Sequence, residues 1–295
     1  MARNPGVILA RLKPADMRVL KVIERGSSRY MYVPLDYIER HSRLPPPRVL
    51  ESIDRLNSEK LIVRRIGSTL GYKLTYTGLD VIALNNLVAR GVVESIGERI
   101  GVGKEGNIYL AWDPAGNPIV VKFHREGRRS FQSIRRKRRY AEGLPRKSWI
   151  QLAKLVGERE FKILAALKDR GALVPEPIAY NRNTVVQEYI PGVELYRIRS
   201  IEKSTAEEML SSIVRTLKIA YQEVGIVHGD LSEYNILVTE DYKPYIIDWP
   251  QYVYREDPES DTLLERDIEY IAGFFKKRFG IKAEPGEILR EVKGE

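Results

Sequence analysis

Apolar residues recur at helical spacing from the start of the chain. In Pro14–Arg25 they are Met17, Val19, Leu20 and Ile23, which predicts an amphipathic helix. Pro34 then opens a short helix, PLDYIERH, since proline is tolerated in a first helical turn. Pro45, Pro46 and Pro47 form a rigid break. After it Val49, Leu50, Ile53 and Leu56 make one apolar face, with Arg48, Ser52 and Arg55 mostly on the other. The pattern next turns strand-like, giving strands at about 61–66 and 71–76 joined by a turn that holds Gly67 and Gly71. Thr77 is the expected N-cap of a last helix that runs to about Arg90 and stops at Gly91. Further on, NIYLAWDPAGNPIVVKF reads as strand, turn at Asp113–Asn117, and strand. Residues 148–169 carry the strongest helical pattern, with Ser148 as its cap. Residues 184–190 read as a strand ending at Pro191-Gly192, and one terminal helix fills about 261–279.

Composition narrows the class. The 295 residues are 43% hydrophobic and 30% charged, which excludes disorder throughout. The longest apolar stretches, such as residues 163–167, fall far short of the ~20 residues that span a bilayer. The first sixteen residues hold too short an apolar core for a secretory signal, so no membrane association and a cytoplasmic setting are expected. With no cysteine there are no disulfides, thiolate metal ligands or thiol nucleophiles, and His41, His124 and His228 lie too far apart in sequence to suggest a zinc cluster. The net charge of +9 is uneven: +8 over residues 1–93, −1 over 94–123, +8 over 124–147 and −6 over 148–295. Two basic segments beside an acidic body are the footprint of a nucleic-acid partner.

Three helices, a β-hairpin and a further helix over residues 1–93 resemble a winged-helix variant of the helix-turn-helix. The third helix would be the reader, with Arg48 and Arg55, and Arg64, Arg65 and Lys73 would lie on the wing. Glu51, Asp54 and Glu59 bring that helix near neutrality, so phosphate-backbone binding to structured RNA is favoured over reading of DNA bases.

Residues 101–106, GVGKEG, place Gly101, Val102, Gly103, Lys104 and Gly106 in a G-x-G-x-x-G run. A dinucleotide site would continue into a helix; here a strand follows, so that reading fails. A glycine loop between two strands and a lysine on the next is the protein-kinase arrangement, with Lys122 in IVVKF as that lysine. Glycines let backbone N–H groups approach phosphates, and the ammonium neutralises their oxygens. The lysine needs an acid, and Glu160 has the sequence context of the kinase C-helix glutamate; Glu158 lies about 200° around the helix. His228-Gly229-Asp230 with Asn235 five residues after the aspartate, then Asp248 ending the strand YIID, complete the set. Asn235 and Asp248 are oxygen donors suited to magnesium, and His228 supports the loop. Adenine would meet the backbone of Glu188 and Ile190.

Only 47 residues follow Asp248, with no A-P-E motif. GVGKEGNIYLA, VVKFHREGRRSF, SWIQLAKLVGEREF, HGDLSEYNILV and IIDWPQ together resemble a RIO-family atypical kinase of the winged-helix type, over nearly the whole chain. Gly106, where serine is commoner, and Trp249, where phenylalanine is commoner, depart from that pattern. The resemblance implies an α+β protein: a winged helix (1–93), then a compact bilobal kinase-like domain without an activation segment, its N-lobe at 94–190 and reduced C-lobe at 191–295. It implies ATP and Mg2+ (or Mn2+), a role in small-ribosomal-subunit maturation with pre-ribosomal RNA as partner, and autophosphorylation. It further implies phosphoryl transfer from Mg-ATP either to Ser/Thr or to its own Asp248, the second giving ATPase turnover through a phosphoaspartate, with Asp230 as general base. The segment 124–147 is then expected to be a mobile basic loop that orders on RNA or nucleotide, using Arg128, Arg129, Arg135 and Arg136, with Phe131 and Tyr140 stacking on bases. The protein phosphate acceptor is not legible. Two alternatives stay open: a small-molecule phosphotransferase of the aminoglycoside or choline type, and a non-catalytic ribosomal RNA-binding module.

Overall fold

The fold is taken from a computed structural model that describes residues 4–66, 70–103, 106–125 and 149–295. The chain divides into two compact units. One comprises residues 1–158 with 178–186, the other residues 159–177 with 187–295.

The first unit begins with a helix the hydrophobic pattern does not announce, α1 (Pro5–Arg11). Asn4 caps it, accepting from the Gly6 N–H at 2.8 Å, and buries Ile8 beneath it. Then come α2 (Pro14–Gly26), β1 (Val33–Pro34), α3 (Leu35–Ser42), α4 (Pro46–Ser58), β2 (Ile62–Arg65), β3 (Gly71–Leu74) and α5 (Tyr76–Ala89). The three strands form an antiparallel sheet in the order β1-β3-β2, the wing of a winged helix.

Four local expectations are corrected. Pro34 pairs with Gly71 in β1 and stands before α3 rather than within it. Gly71 lies inside β3, opposite Arg65, not in the turn. The cap of α5 is Thr75, not Thr77: its extended backbone lets Oγ1 accept from the Gly78 N–H at 3.1 Å and donate to Lys60 O at 2.9 Å. On α4 the buried row is Val49, Ser52, Ile53 and Leu56, the i, i+3, i+4, i+7 stripe, while Leu50 is 45% exposed about 100° away. Ser52 is thus an interior residue: α4 packs on α2, and close packing sorts side chains by position around the helix before it sorts them by polarity.

A five-stranded sheet, within this unit except for Pro177, Gln187 and Glu188 at strand ends, has the order β4-β5-β6-β8-β7: β4 (Ser95–Gly103), β5 (Gly106–Trp112), β6 (Pro118–His124), β7 (Pro177–Asn181) and β8 (Thr184–Glu188). The expected Asp113–Asn117 turn is present, with Asp113 accepting from the Ala115 and Asn117 N–H groups. Leu84 and Leu87 of α5 and Leu9 of α1 pack into one core with Tyr109, Ile119, Val121 and Phe123 of the sheet. The long helix α6 (Trp149–Lys168) sends Ile150 and Ala153 into the winged-helix core, and Trp149 lies 4.5 Å from the Tyr76 ring.

The second unit holds β9 (Gly192–Glu194), α7 (Lys203–Lys218), β10 (Ile226–Val227), β11 (Ile236–Thr239), β12 (Pro244–Ile246), β13 (Val253–Tyr254), α8 (Ser260–Phe279) and α9 (Pro285–Lys293). Between α7 and β10 the chain widens into a π-helical turn, Ile219–Val224, closed by Gly225 at φ 75°. The terminal helix is followed by α9, which the pattern did not lead us to expect; it buries Ile288 and Val292 against the core around Ile271 and Phe275. Only residues 249–259 separate Asp248 from α8, so a long activation segment has no place. Among the described residues no helix is long and apolar enough to cross a membrane.

Candidate active site

The expected site residues fall into two sets, one on each unit. In the first unit, β4 and β5 close a tight hairpin in which Gly101 pairs with Ile108, Val102 with Asn107 and Gly103 with Gly106; Lys104 lies outside the described residues. β4 changes register twice ahead of Gly101, so it bends before it reaches the glycines. Gly106 faces His124 across β6, and a Cβ there would strike the Phe123 carbonyl. The departure from serine at this position therefore lets the hairpin lie close against the strand that carries the lysine. On that strand Val121 and Phe123 enter the core, and Lys122, on the opposite face by the two-residue period, is only 5% exposed. An ammonium so buried is retained only where its charge is met.

Just beyond Lys122 is a polar cluster that the sequence did not signal. Asp80 of α5, fully buried, holds the Arg125 guanidinium through both carboxylate oxygens and accepts from Asn183 Nδ2 at 2.8 Å. Asn183 also donates to the His124 carbonyl at 3.1 Å, and the His124 N–H donates to the Asn183 carbonyl at 2.8 Å. Burial outweighs Arg125 and Asn183 and raises the Asp80 carboxyl to about 6. The cluster ties α5 to the end of the lysine strand.

In the second unit, Glu160 of α6 is 1% exposed. Glu188, at the end of β8, spends its N–H on Glu176 O (2.8 Å), and its carboxylate accepts from the Glu176 N–H (3.0 Å) and from Lys168 (3.3 Å). The Ile190 carbonyl accepts from the Gly192 N–H at 2.9 Å. Below this strand end lies an open groove of about 700 Å3 lined by Tyr189, Arg197 and Tyr242 among others; none of Asp230, Asn235 and Asp248 lines it.

The loop after β10 is organised by three side chains. His228, 1% exposed, places Nε2 3.1 Å from the Ile247 carbonyl and accepts on Nδ1 from the Asp230 N–H at 3.3 Å, so its ring bridges the two aspartate-bearing segments. Asn235 donates from Nδ2 to the Asp230 carbonyl at 2.8 Å, and its own carbonyl accepts from the Ile247 N–H at 2.9 Å, beside Asp248. The bond to Asp230 uses the amide NH2, and the amide oxygen is the atom a metal would take. Asp267 on α8 is the residue that sequence reasoning missed. Buried at 1% exposure, it accepts from the Gly229 N–H at 2.7 Å and the Leu231 N–H at 3.2 Å, clamping both sides of Asp230. Burial raises its carboxyl, against the lowering effects of His228, Arg266 and the Gly229 N–H. A lone aspartate in a helix, 37 residues after Asp230, carries no local signal of this role.

Asp230 is exposed at the loop's tip, while Asp248 sits half-buried at φ 68°, in the left-handed region. A carboxylate residue held there is a strained residue, and such strain gathers at functional sites. Trp249, the second departure, is fully buried and donates from Nε1 to Ile246 O at 3.1 Å, so the larger ring fills core and fixes the backbone beside Asp248. Among the described residues no three His, Asp or Glu side chains converge into a self-sufficient metal cage.

The expected nucleic-acid residues divide. Arg48, Arg64 and Arg65 are exposed, with Arg65 over the Tyr32 ring, and Lys73 is half-buried on β3. Arg55 has a structural partner: its Nε lies 2.8 Å from buried Asp16, so its charge is largely spent inside the winged helix. Arg128, Arg129, Arg135 and Arg136 lie outside the described residues, as do Phe131 and Tyr140.

Comparison with known proteins matches residues 107–288 to the RIO domain and residues 9–90 to the Rio2 N-terminal domain. The RIO-type serine/threonine-protein kinase Rio2 of Methanocaldococcus jannaschii is 40% identical over 249 residues, covering 83% of this chain and 90% of that protein. The serine/threonine-protein kinase RIO2 of Caenorhabditis elegans is 32% identical over 99% of this chain, which spans 55% of that longer protein. Among solved structures, the Rio2 kinase–ADP/Mg2+–phosphoaspartate complex from Chaetomium thermophilum superposes with a TM-score of 0.81 at 34% identity, covering 98% of this chain and 88% of that one.

Proposed function

Because the chain belongs to the RIO family of atypical serine/threonine-protein kinases, with a Rio2-type N-terminal domain, we propose that it transfers the γ-phosphoryl group of Mg-ATP to its own Asp248 and hydrolyses the product. The observation that carries this reading is the Asp230–Asn235–Asp248 loop. One amide fixes Asp230 while its residue's carbonyl fixes the segment before Asp248, and Asp248 is held in a strained left-handed backbone. The phosphoaspartate named in the Chaetomium relative supports it.

The oxygen donors of Asp248 and Asn235 suit Mg2+, which takes one or two protein oxygens and completes its shell with water and phosphate. When bound, the ion would neutralise charge on the phosphates. Lys122 would add a cation at the phosphates, with Glu160 the acid that the kinase arrangement pairs with such a lysine, and backbone N–H groups of the glycine run 101–106 would face them. The purine edge would meet the Glu188 carbonyl and the Ile190 N–H, since the Glu188 N–H is given to Glu176 and the Ile190 carbonyl to Gly192.

An Asp248 carboxylate oxygen attacks the γ-phosphorus. The bond to the bridging oxygen breaks, and ADP leaves with that oxygen's electrons. Water then attacks the acyl-phosphate and gives its proton to Asp230, releasing inorganic phosphate and restoring Asp248. The net charge of +8 over residues 1–93 supports an RNA partner, and we infer from it action on the maturing small ribosomal subunit, in the cytoplasm.

Incubation with γ-labelled Mg-ATP tests the mechanism. Label that is released by hydroxylamine, absent from Asp248→Ala and accumulated in Asp230→Ala is the expected result. Hydroxylamine-stable label retained in Asp248→Ala would instead assign an ordinary Ser/Thr kinase. Turnover only with an added aminoglycoside or choline would assign a small-molecule phosphotransferase.

A further inference from the structure

The charge that the winged helix was expected to present on its reader helix is concentrated elsewhere. Along α2, Arg18, Lys21 and Arg25 stand at i, i+3 and i+7 and so share one side of the helix. Two adjoining hollows share Lys21 and Arg25. One, of about 450 Å3, lies between α2, the first turns of α6 and the β7–β8 turn, and adds Lys154 and Arg182. The other, of about 640 Å3, lies between α2 and the end of α3 and adds Arg40 and Arg43. The two form a groove lined by seven Lys/Arg and one carboxylate, Glu24; Arg40 is paired at 2.6 Å with Asp36 beside it, which leaves Arg18, Lys21, Arg25 and Arg43 as the main charges of the groove.

Glu24 does not cancel the field. Arg182 grips it with two hydrogen bonds of 2.7 and 2.8 Å, and Lys154 reaches it at 2.7 Å, so the trio carries a net positive charge. Burial pushes the Glu24 carboxyl up, but the two cations together outweigh it and hold it below its ordinary value. Arg182 takes a left-handed backbone (φ 56°) and Arg43 another (φ 55°), so both ends of the groove sit on turns. By contrast α4 carries exposed Glu51 and Asp54, and Arg55 is bound to Asp16.

We propose that the α2–α3 groove, rather than α4 and the wing, is where the phosphate backbone of a structured RNA docks. Arg18 to Arg25 span roughly 10 Å along the helix, about three backbone charges of one strand. A protein partner fits poorly: its interface would need an apolar centre, whereas the apolar lining side chains here, Val22 and Ile150, are buried. At the rim His41 is exposed and stacks on Tyr37 at 3.9 Å, a platform for an unpaired base such as an RNA loop offers. The proposal rests on the reading that this kinase works on an RNA assembly.

The test is anisotropy with a fluorescent RNA hairpin carrying an unpaired loop, titrated across salt, using the full chain. The double variant Arg25→Glu, Arg43→Glu is expected to bind at least ~10-fold more weakly and to lower the log–log salt slope by about two, with the wild-type melting transition. If it melts early, Arg18→Gln with Arg43→Gln gives the same readout in smaller measure. Three outcomes overturn the proposal: a larger loss from Arg64→Glu, Arg65→Glu on the wing; equal binding of a DNA hairpin; or equal competition by polyglutamate. The hydroxylamine-labile label is read in parallel on wild type. Label without RNA binding overturns the groove alone, and groove-dependent RNA binding without label overturns the phosphoaspartate reading alone.

Discussion

At the scale of single residues, the chemistry rests on side chains that hold other atoms still. Asp267 illustrates this: its carboxylate is buried, and it receives the N–H groups on either side of Asp230. Replacing it by asparagine keeps the size but leaves one of those N–H groups facing a donor, and the loop shifts. A displacement of about 1 Å at a reacting group can cost 10²-fold. Asp267→Asn is therefore expected to lower the rate of phosphoaspartate formation by about 10- to 100-fold while ATP affinity changes little, measured by single-turnover labelling beside equilibrium nucleotide binding. Loss of nucleotide binding with an unchanged rate would assign Asp267 to the ATP pocket instead. Asp230, Asn235 and Asp248 were legible because their spacing is local, whereas Asp267 was not, because the contact that gives it a role spans 38 residues to Gly229.

At the scale of elements, α5 and β6 are joined by the Asp80–Arg125–Asn183 cluster three residues from Lys122. Its pH dependence has a definite sign. The folded carboxyl is raised to about 6 against 3.8 for an ordinary aspartate, so between those values the native state binds the proton that the unfolded chain has lost. The stability Asp80 contributes is thus fullest below pH 3.8, falls as pH rises to about 6, and is flat above. Asp80→Asn should remove that decline, worth on the order of 3 kcal/mol between the limits, seen as a flatter stability profile in urea melts from pH 4 to 7. Parallel profiles for the two proteins would show that Arg125 keeps Asp80 ionised throughout. The sequence showed the hydrophobic alternation of β6 and the apolar run of α5, but nothing in either says that Asp80 turns inward, since a helix apolar on nearly every side has no polar face to mark.

At the scale of the whole molecule, the winged helix and the strands carrying Lys122 share one compact unit. Leu84 and Leu87 of α5 close the core over Phe123, and the first turns of α6 are buried against the winged helix. A fragment beginning at Glu94 would expose both surfaces. It is expected to lose cooperative thermal unfolding and to bind a hydrophobic dye, whereas the full chain does neither. A sharp transition at the full-chain temperature would show that the strands need no winged helix.

The sequence by itself determined the periodic elements and the ordered run of phosphate-site residues. Both depend on neighbours a few positions apart: hydrophobic spacing within an element, and Asp230 to Asn235 within one loop. Only the tertiary structure decided which polar residues are interior, such as Ser52, Asp80 and Asp267. It also revealed that Arg55 is spent on Asp16 and that α2 and its neighbours form a groove lined by seven Lys/Arg. The physical reason is that burying a charge or a hydroxyl is costly unless a partner meets it, and partners come from elements far apart in the chain, so their pairing follows from packing rather than from any local pattern.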